Sequence, residues 1–165
     1  MRSTRNTSPK PADAPLLLER QLCFALYSNS LAMTKRYKPL LAPLGLTYPQ
    51  YLVLLVLWER DGLGVNELGE RLFLDSGTLT PLLKRLDAAG LLRRTRAAED
   101  ERRVIVELTD EGRALKQRAR QVPRQLARSL SCGLDEVAEL TERLLRLRAQ
   151  LLDEGDGPPG TPPAS

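Results

Sequence analysis

Residues 65–108 read VNELGERLFLDSGTLTPLLKRLDAAGLLRRTRAAEDERRVIVEL, and the fold turns on them. Val65 to Leu72 has the spacing of a short helix, with Asn66 as its expected cap, and Phe73 and Leu74 make a tight turn. Asp75 and Ser76 cap a second helix that runs to about Ala89, where Gly90 stops it. Helix, tight turn, helix is a DNA-reading arrangement, with Ser76, Thr78 and Thr80 at the leading end of its second helix and Lys84 and Arg85 further along. Pro81 lies past the first turn of that helix, removes a hydrogen bond and is expected to distort its start. Leu91–Arg96 and Arg103–Leu108 then alternate as strands, with Val104, Val106 and Leu108 on one face, and AAEDER between them makes a charged hairpin tip. A hairpin after a helix-turn-helix is a wing. Its Arg93, Arg94, Arg96, Arg102 and Arg103 are placed to reach phosphates or a narrow minor groove, although the same residues also suit a merely basic surface hairpin.

The charge distribution favours the DNA reading. Between Lys84 and Arg128 there are 13 Lys or Arg against 7 Asp or Glu, a net +6, in a chain whose overall charge is only +4. A one-sided excess over a third of the molecule fits a polyanion partner better than a solvated helix face.

Outward from this centre the chain reads as helical. A long amphipathic first helix is expected to start near Asp13 or Pro15 and run to about Leu41, with Leu18, Leu22, Leu26, Tyr37, Leu40 and Leu41 along one stripe. Tyr48 to Arg60 is a second helix whose core run ends at Trp58, and within it Tyr51, Leu54, Leu55 and Trp58 fall at core spacing. After the wing, Thr109 caps a helix continuing to about Ser131, Gly133 breaks it, and Asp135–Leu152 forms a last helix with Leu140, Leu144, Leu147 and Leu151 in register. The first and last helices together can form a dimer layer. The expected organisation is therefore mainly α with a small β-wing, in three parts. Residues 1–13 make a disordered tail, 14–152 one winged-helix domain with dimerisation helices at both ends (helix-turn-helix about 65–90, wing about 91–108), and 153–165 a second disordered tail, GDGPPGTPPAS being most of it.

Composition removes several classes of chemistry. There is no histidine, so Ser-His-Asp and Cys-His catalysis and His-based zinc sites are excluded, and no cofactor or metal is expected. The two cysteines, Cys23 and Cys132, are too far apart in sequence for a Cys-x-x-Cys site and are expected to be free at rest in a reducing compartment. The longest strongly apolar run, Tyr51–Trp58, is too short to span a bilayer, and no signal-type segment opens the chain. A cytoplasmic location is expected.

LFLDSGTLTPLLKRLDAAGLL followed by the wing DERRV resembles the MarR family of winged-helix transcription factors over roughly residues 16–152. QLCFALYSNSLAMTKRYKPLL followed by GLTYPQYLVLLVLWE is similar to its organic hydroperoxide resistance (OhrR) branch, whose members sense peroxides through a cysteine near the start of the first helix. The resemblance implies a homodimer that represses a peroxide-detoxification gene from a pseudopalindromic operator until an organic hydroperoxide oxidises it. It also implies that Tyr27, Tyr37 and Tyr48 surround the sulfur of Cys23, some of them from the other subunit. Asp75, Ser76, Thr78, Thr80, Lys84, Arg85, Arg94, Arg96 and Arg102 are the expected DNA-contacting residues.

The residues themselves bear on this chemistry. A sensing thiol reacts as an accessible thiolate, and without histidine the groups able to stabilise it are phenols, amides, a helix N-terminus or a basic side chain. At about 100° per residue, Tyr27 and Tyr37 both lie about 40° around the helix from Cys23. Seen alone, Cys23 suits a small buried hydrophobe; the tyrosines and the resemblance favour the sensor. Some members of the branch resolve the oxidised cysteine with a second one near the last helix, others with a small thiol. Cys132, in SCGLDE, suits the first type, and an inert buried residue is the alternative. Two competing functions remain: a thiol peroxidase using Cys23 and Cys132, which would not need a basic winged helix, and a regulator with a lipophilic ligand beneath the first helices, which would not need Cys23.

Overall fold

A computed structural model describes residues 11–98, 100, 102–130 and 133–153. The chain divides into two compact units between Val122 and Pro123.

The first unit opens with two 3-10 segments, Pro11–Leu16 and Leu18–Arg20, before helix α1, Leu22–Leu41. The α-helix thus begins later than expected. Gln21, in extended conformation, precedes it, and its side-chain amide donates to the carbonyls of Pro15 (2.5 Å) and Leu17 (3.2 Å). Helix α2, Tyr48–Glu59, has Pro49 in its first turn, where a missing N–H costs nothing, and Gln50 accepts a hydrogen bond from the Thr47 N–H at 2.9 Å. Tyr51, Val53, Leu54, Val56 and Leu57 are all buried, so α2 is the central helix, apolar nearly all round because it is packed nearly all round.

Strand β1, Leu63–Gly64, is only two residues long and leads directly into α3, Val65–Leu72. The cap of α3 is Gly64, and Asn66, expected in that role, is an exposed residue inside the helix. Phe73, at φ 55°, makes the left-handed turn to α4, Ser76–Ala88. Gly69 is required by this turn, since a Cβ there would lie 2.7 Å from the Leu74 carbonyl oxygen. Helix α4 runs unbroken through Pro81. Strands β2, Leu92–Arg96, and β3, Val104–Leu108, pair antiparallel with Arg94 opposite Val106, and β1 adds to the other side of β3 with Leu63 opposite Val106, giving the order β1-β3-β2. The wing therefore has a third strand that two residues could not announce by periodicity.

Helix α5, Asp110–Ala119, follows, capped by Thr109, whose hydroxyl accepts from the Gly112 N–H and donates to the Gly90 carbonyl. The single helix expected from 109 to 131 is two, because α6 spans Gln121–Ser129. Pro123 has no N–H to return to the Ala119 carbonyl, and the helix breaks at Arg120, one turn earlier. Leu54, Leu57, Leu68, Leu79, Leu83, Leu86, Leu92 and Val106 are among the fully buried side chains, and no polar or charged residue is buried among the described residues.

In the second unit, helix α7 spans Leu134–Asp153, and Leu140, Leu144, Leu145, Leu151 and Leu152 are exposed along it. Of the expected tails, residues 1–10 and 154–165 lie outside the described residues, as does Cys132.

Candidate DNA interface and thiol site

Helix α4 is anchored on one side and free on the other. Leu79, Leu82, Leu83 and Leu86 are buried, while Ser76, Gly77, Thr78, Pro81, Lys84, Arg85 and Ala88 are exposed. Asp75 and Thr78 are occupied with one another: Asp75 accepts from the Thr78 N–H at 2.8 Å and from its hydroxyl at 3.1 Å. The Thr78 backbone N–H, then its hydroxyl, hold the Asp75 carboxyl below its usual range. Asp75 thus fixes where α4 begins. Thr80 is half-buried on the flank facing the wing.

The wing arginines divide into two groups. Arg94 Nε donates to Asp87 at 3.1 Å and ties β2 to α4, so in this conformation its guanidinium supports the interface rather than extending from it. Arg93, Arg96, Arg102 and Arg103 are exposed. At the hairpin tip Asp100 orders the chain, its side chain accepting from the Arg102 N–H at 3.0 Å and its carbonyl from the Arg103 N–H at 2.9 Å. A cavity of about 560 Å3 separates the wing from the helix-turn-helix, lined in part by Glu67, Glu70, Thr80, Arg94 and Arg102. Among the described residues no group of three His, Cys, Asp or Glu could hold a metal.

Cys23 is the second residue of α1, exposed and free. Tyr27 lies one turn further on and is 61% exposed. Tyr37 is elsewhere: fourteen residues along a helix is about 21 Å, so sharing the angular position of Cys23 does not bring it near. Tyr37 instead packs on Tyr48, ring centroids 4.5 Å apart, and on Tyr51 at 5.9 Å, and Tyr51 meets Trp58 edge-on at 6.3 Å. Burial, then the neighbouring Tyr48 and Tyr51, push the Tyr37 phenol up to about 12, and burial pushes Tyr48 and Tyr51 upward as well. All three are protonated hydrogen-bond donors at neutral pH. Within one protomer, then, only Tyr27 accompanies Cys23, whereas Tyr37 and Tyr48 form a pair at the far end of α1. Tyr51 is a core residue, 2% exposed, as its spacing implies.

Two connections had no sequence signal. The Trp58 indole N–H donates to the Gly112 carbonyl at 2.9 Å and Lys116 Nζ to the Trp58 carbonyl at 2.9 Å, joining α2 to α5. Asp61 accepts from the N–H groups of Gly62 (2.9 Å) and Leu108 (2.8 Å) and from Arg113 (2.8 Å), holding the end of α2 to β3 and α5.

The family model for the transcriptional regulators SarA and Rot matches residues 35–119. The chain belongs to the MarR/SarA family of winged-helix transcriptional regulators. It is 52% identical over 139 residues to the HTH-type transcriptional regulator TtmR of Methylorubrum extorquens, covering 84% of this chain and 71% of that one. With the organic hydroperoxide resistance transcriptional regulator of Bacillus subtilis the identity is 58% over 106 residues, 64% of this chain and 72% of the other. The structure of reduced AbfR bound to DNA superposes with a TM-score of 0.71 at 35% identity, covering 86% of this chain and 99% of that one. The disulfide form of AbfR, a Staphylococcus epidermidis protein, superposes with a TM-score of 0.58 at 36% identity, over 86% of this chain and 97% of that one. As a member of this family the chain is a DNA-binding regulator and not an enzyme, which removes the thiol peroxidase reading.

Proposed function

We propose that this regulator is a homodimeric repressor that leaves its operator when an organic hydroperoxide oxidises Cys23. The observation that carries the reading is an exposed, free thiol on an uncovered stretch of α1, one turn from an exposed phenol. Leu22, Leu26, Leu31 and Met33 are exposed along the same stretch, the expected surface of a helix that packs against a second copy. Such packing is also the route by which a partner's protonated Tyr37–Tyr48 pair reaches Cys23 and donates to its thiolate. Relatives support the reading: one is a hydroperoxide resistance regulator, and AbfR has both a reduced DNA-bound form and a disulfide form.

In the reaction the thiolate attacks the O–O bond, taking one oxygen to become Cys23–SOH while the alkoxide leaves and is protonated to the alcohol. Condensation with the Cys132 thiol then expels water and forms a disulfide, and an exogenous thiol reduces it again. The DNA contacts are Ser76, Thr78, Lys84 and Arg85 on the free side of α4 and Arg96 and Arg102 on the wing, with Asp75, Thr80 and Arg94 holding that surface in place. Its place of action is the cytoplasm.

A mobility shift on the DNA upstream of the gene encoding this chain tests the proposal. Addition of an organic hydroperoxide should release the wild-type protein, and a thiol should restore binding. Cys23→Ser should bind equally well and ignore the peroxide. Release of Cys23→Ser by peroxide would place the sensor elsewhere. Non-reducing electrophoresis should show a covalent dimer that Cys132→Ser abolishes; monomer bands alone, with full release of Cys132→Ser in the absence of added thiol, would make the sulfenic acid the switch.

A further inference from the structure

We propose that Pro81 is a specificity-determining residue that reads a thymine methyl group in the major groove, and that Gly77 keeps its ring uncovered. The inference rests on α4 being the helix that enters the groove. At about 100° per residue, the buried side of α4 is marked by Leu79, Leu82, Leu83 and Leu86, and the line directly opposite is Gly77, Pro81, Lys84 and Ala88, all exposed. Ser76 and Arg85 lie to either side of that line. A helix in the groove meets base edges with its midline and the groove walls with its flanks, so Pro81 occupies a base-reading place.

Proline is a costly residue there. It is the sixth residue of α4, it leaves the Gly77 carbonyl without its helical donor, and its ring is exposed, so packing within the protomer does not offset the loss. A break of a local rule without compensation in the free protein marks a functional position. The chemistry narrows the function. A proline ring has no donor or acceptor to offer the N7, O6, O4, N6 or N4 atoms of base edges, and the only apolar group those edges present in the major groove is the C5-methyl of thymine. Gly77, one turn earlier on the same line, has no side chain to stand over the ring. A Cβ at that position would meet Asp75 Oδ1 at 3.0 Å, so the cap itself disfavours any larger residue.

The test begins with duplexes selected by the full-length protein from a randomised pool. Each thymine of the selected half-site is replaced singly by uracil, which removes only the methyl, and affinities are measured by fluorescence anisotropy. The wild type should show one thymine per half-site at which uracil weakens binding about fourfold, the scale of one methyl removed from water. Pro81→Ser should bind the thymine and uracil duplexes alike, with an unchanged salt slope because the same phosphates remain neutralised. Removing a helix breaker does not endanger folding, and circular dichroism checks this. Methyl sensitivity that persists in Pro81→Ser, or no methyl-sensitive thymine in the half-site, would overturn the assignment. Unchanged affinity of both Thr78→Ala and Lys84→Ala for these duplexes would show that α4 is not the reading helix, a failure distinct from that of Pro81 alone.

Discussion

Gly112 shows how little room a single position leaves. A Cβ there would lie 1.9 Å from the Leu91 carbonyl oxygen, while its own N–H and carbonyl bond Thr109 and Trp58. Gly112→Ala should therefore destabilise the protein by more than about 2 kcal/mol in urea titration, since the junction of α5, the wing and α2 must open to admit a methyl. The Tyr37 phenol makes a pH prediction with a definite sign. It ionises near 10 in the unfolded chain and at about 12 in the folded one, so the unfolded state binds fewer protons between those values and stability falls as pH rises through that window. Tyr37→Phe should remove part of this alkaline loss while leaving the stability curve below about pH 9 parallel to that of the wild type, as read by urea titration across pH.

At the scale of elements, α4 depends on its first residues. Asp75→Ala removes the acceptor for the Thr78 amide and hydroxyl and should lower the midpoint of thermal or urea unfolding. The same change should weaken DNA binding, although it removes a negative charge that would repel phosphate; tighter binding would mean that electrostatics outweighs the position of the helix start. On the wing, Arg102 is exposed, and its backbone N–H is held by Asp100. Arg102→Ala should weaken binding to all duplexes alike and lower the slope of log K against log salt by about 0.9 for each phosphate that the guanidinium neutralises. A sequence-dependent loss would instead make Arg102 a minor-groove reader. Arg94→Ala, by releasing β2 from Asp87, should destabilise the fold as well as binding.

At the scale of the molecule, α1 and α7 each carry leucines that one protomer leaves exposed. Leu22 is 57% exposed and Leu26 37%, on a helix whose only buried residue is Leu41. If a second copy covers them, Leu22→Asp with Leu26→Asp should weaken the dimer at least about a hundredfold by sedimentation, since two charges per protomer would replace apolar side chains whose burial is worth about 1.5–3 kcal/mol each. Sedimentation as a dimer at wild-type concentrations would move the interface off α1.

The local signals in the sequence were enough for the helix-turn-helix and the wing. Turn chemistry at Phe73–Asp75, a glycine stop at Gly90 and alternation from Val104 to Leu108 each act within a few residues, and each appears as expected. Lys84, Arg85 and Arg102 are expected DNA contacts from residue type and position alone, whereas the proposed role of Cys23 and Tyr27 needs the family resemblance as well. What involved partners distant in the chain had no local trace. Strand β1 exists because β3 offers an edge to Leu63 and Gly64, Asp61 matters because Leu108 and Arg113 come to it, and α3 is capped by a glycine that is itself paired to Ile105. Angular position on a helix was legible for Tyr37 but its partner was not, because a hydrophobic stripe records which way a residue faces and says nothing of what is packed against it. Only folding brings Tyr48 and Tyr51 to Tyr37, half-burying the Tyr37 and Tyr48 phenols and leaving Cys23 open at the other end of the same helix.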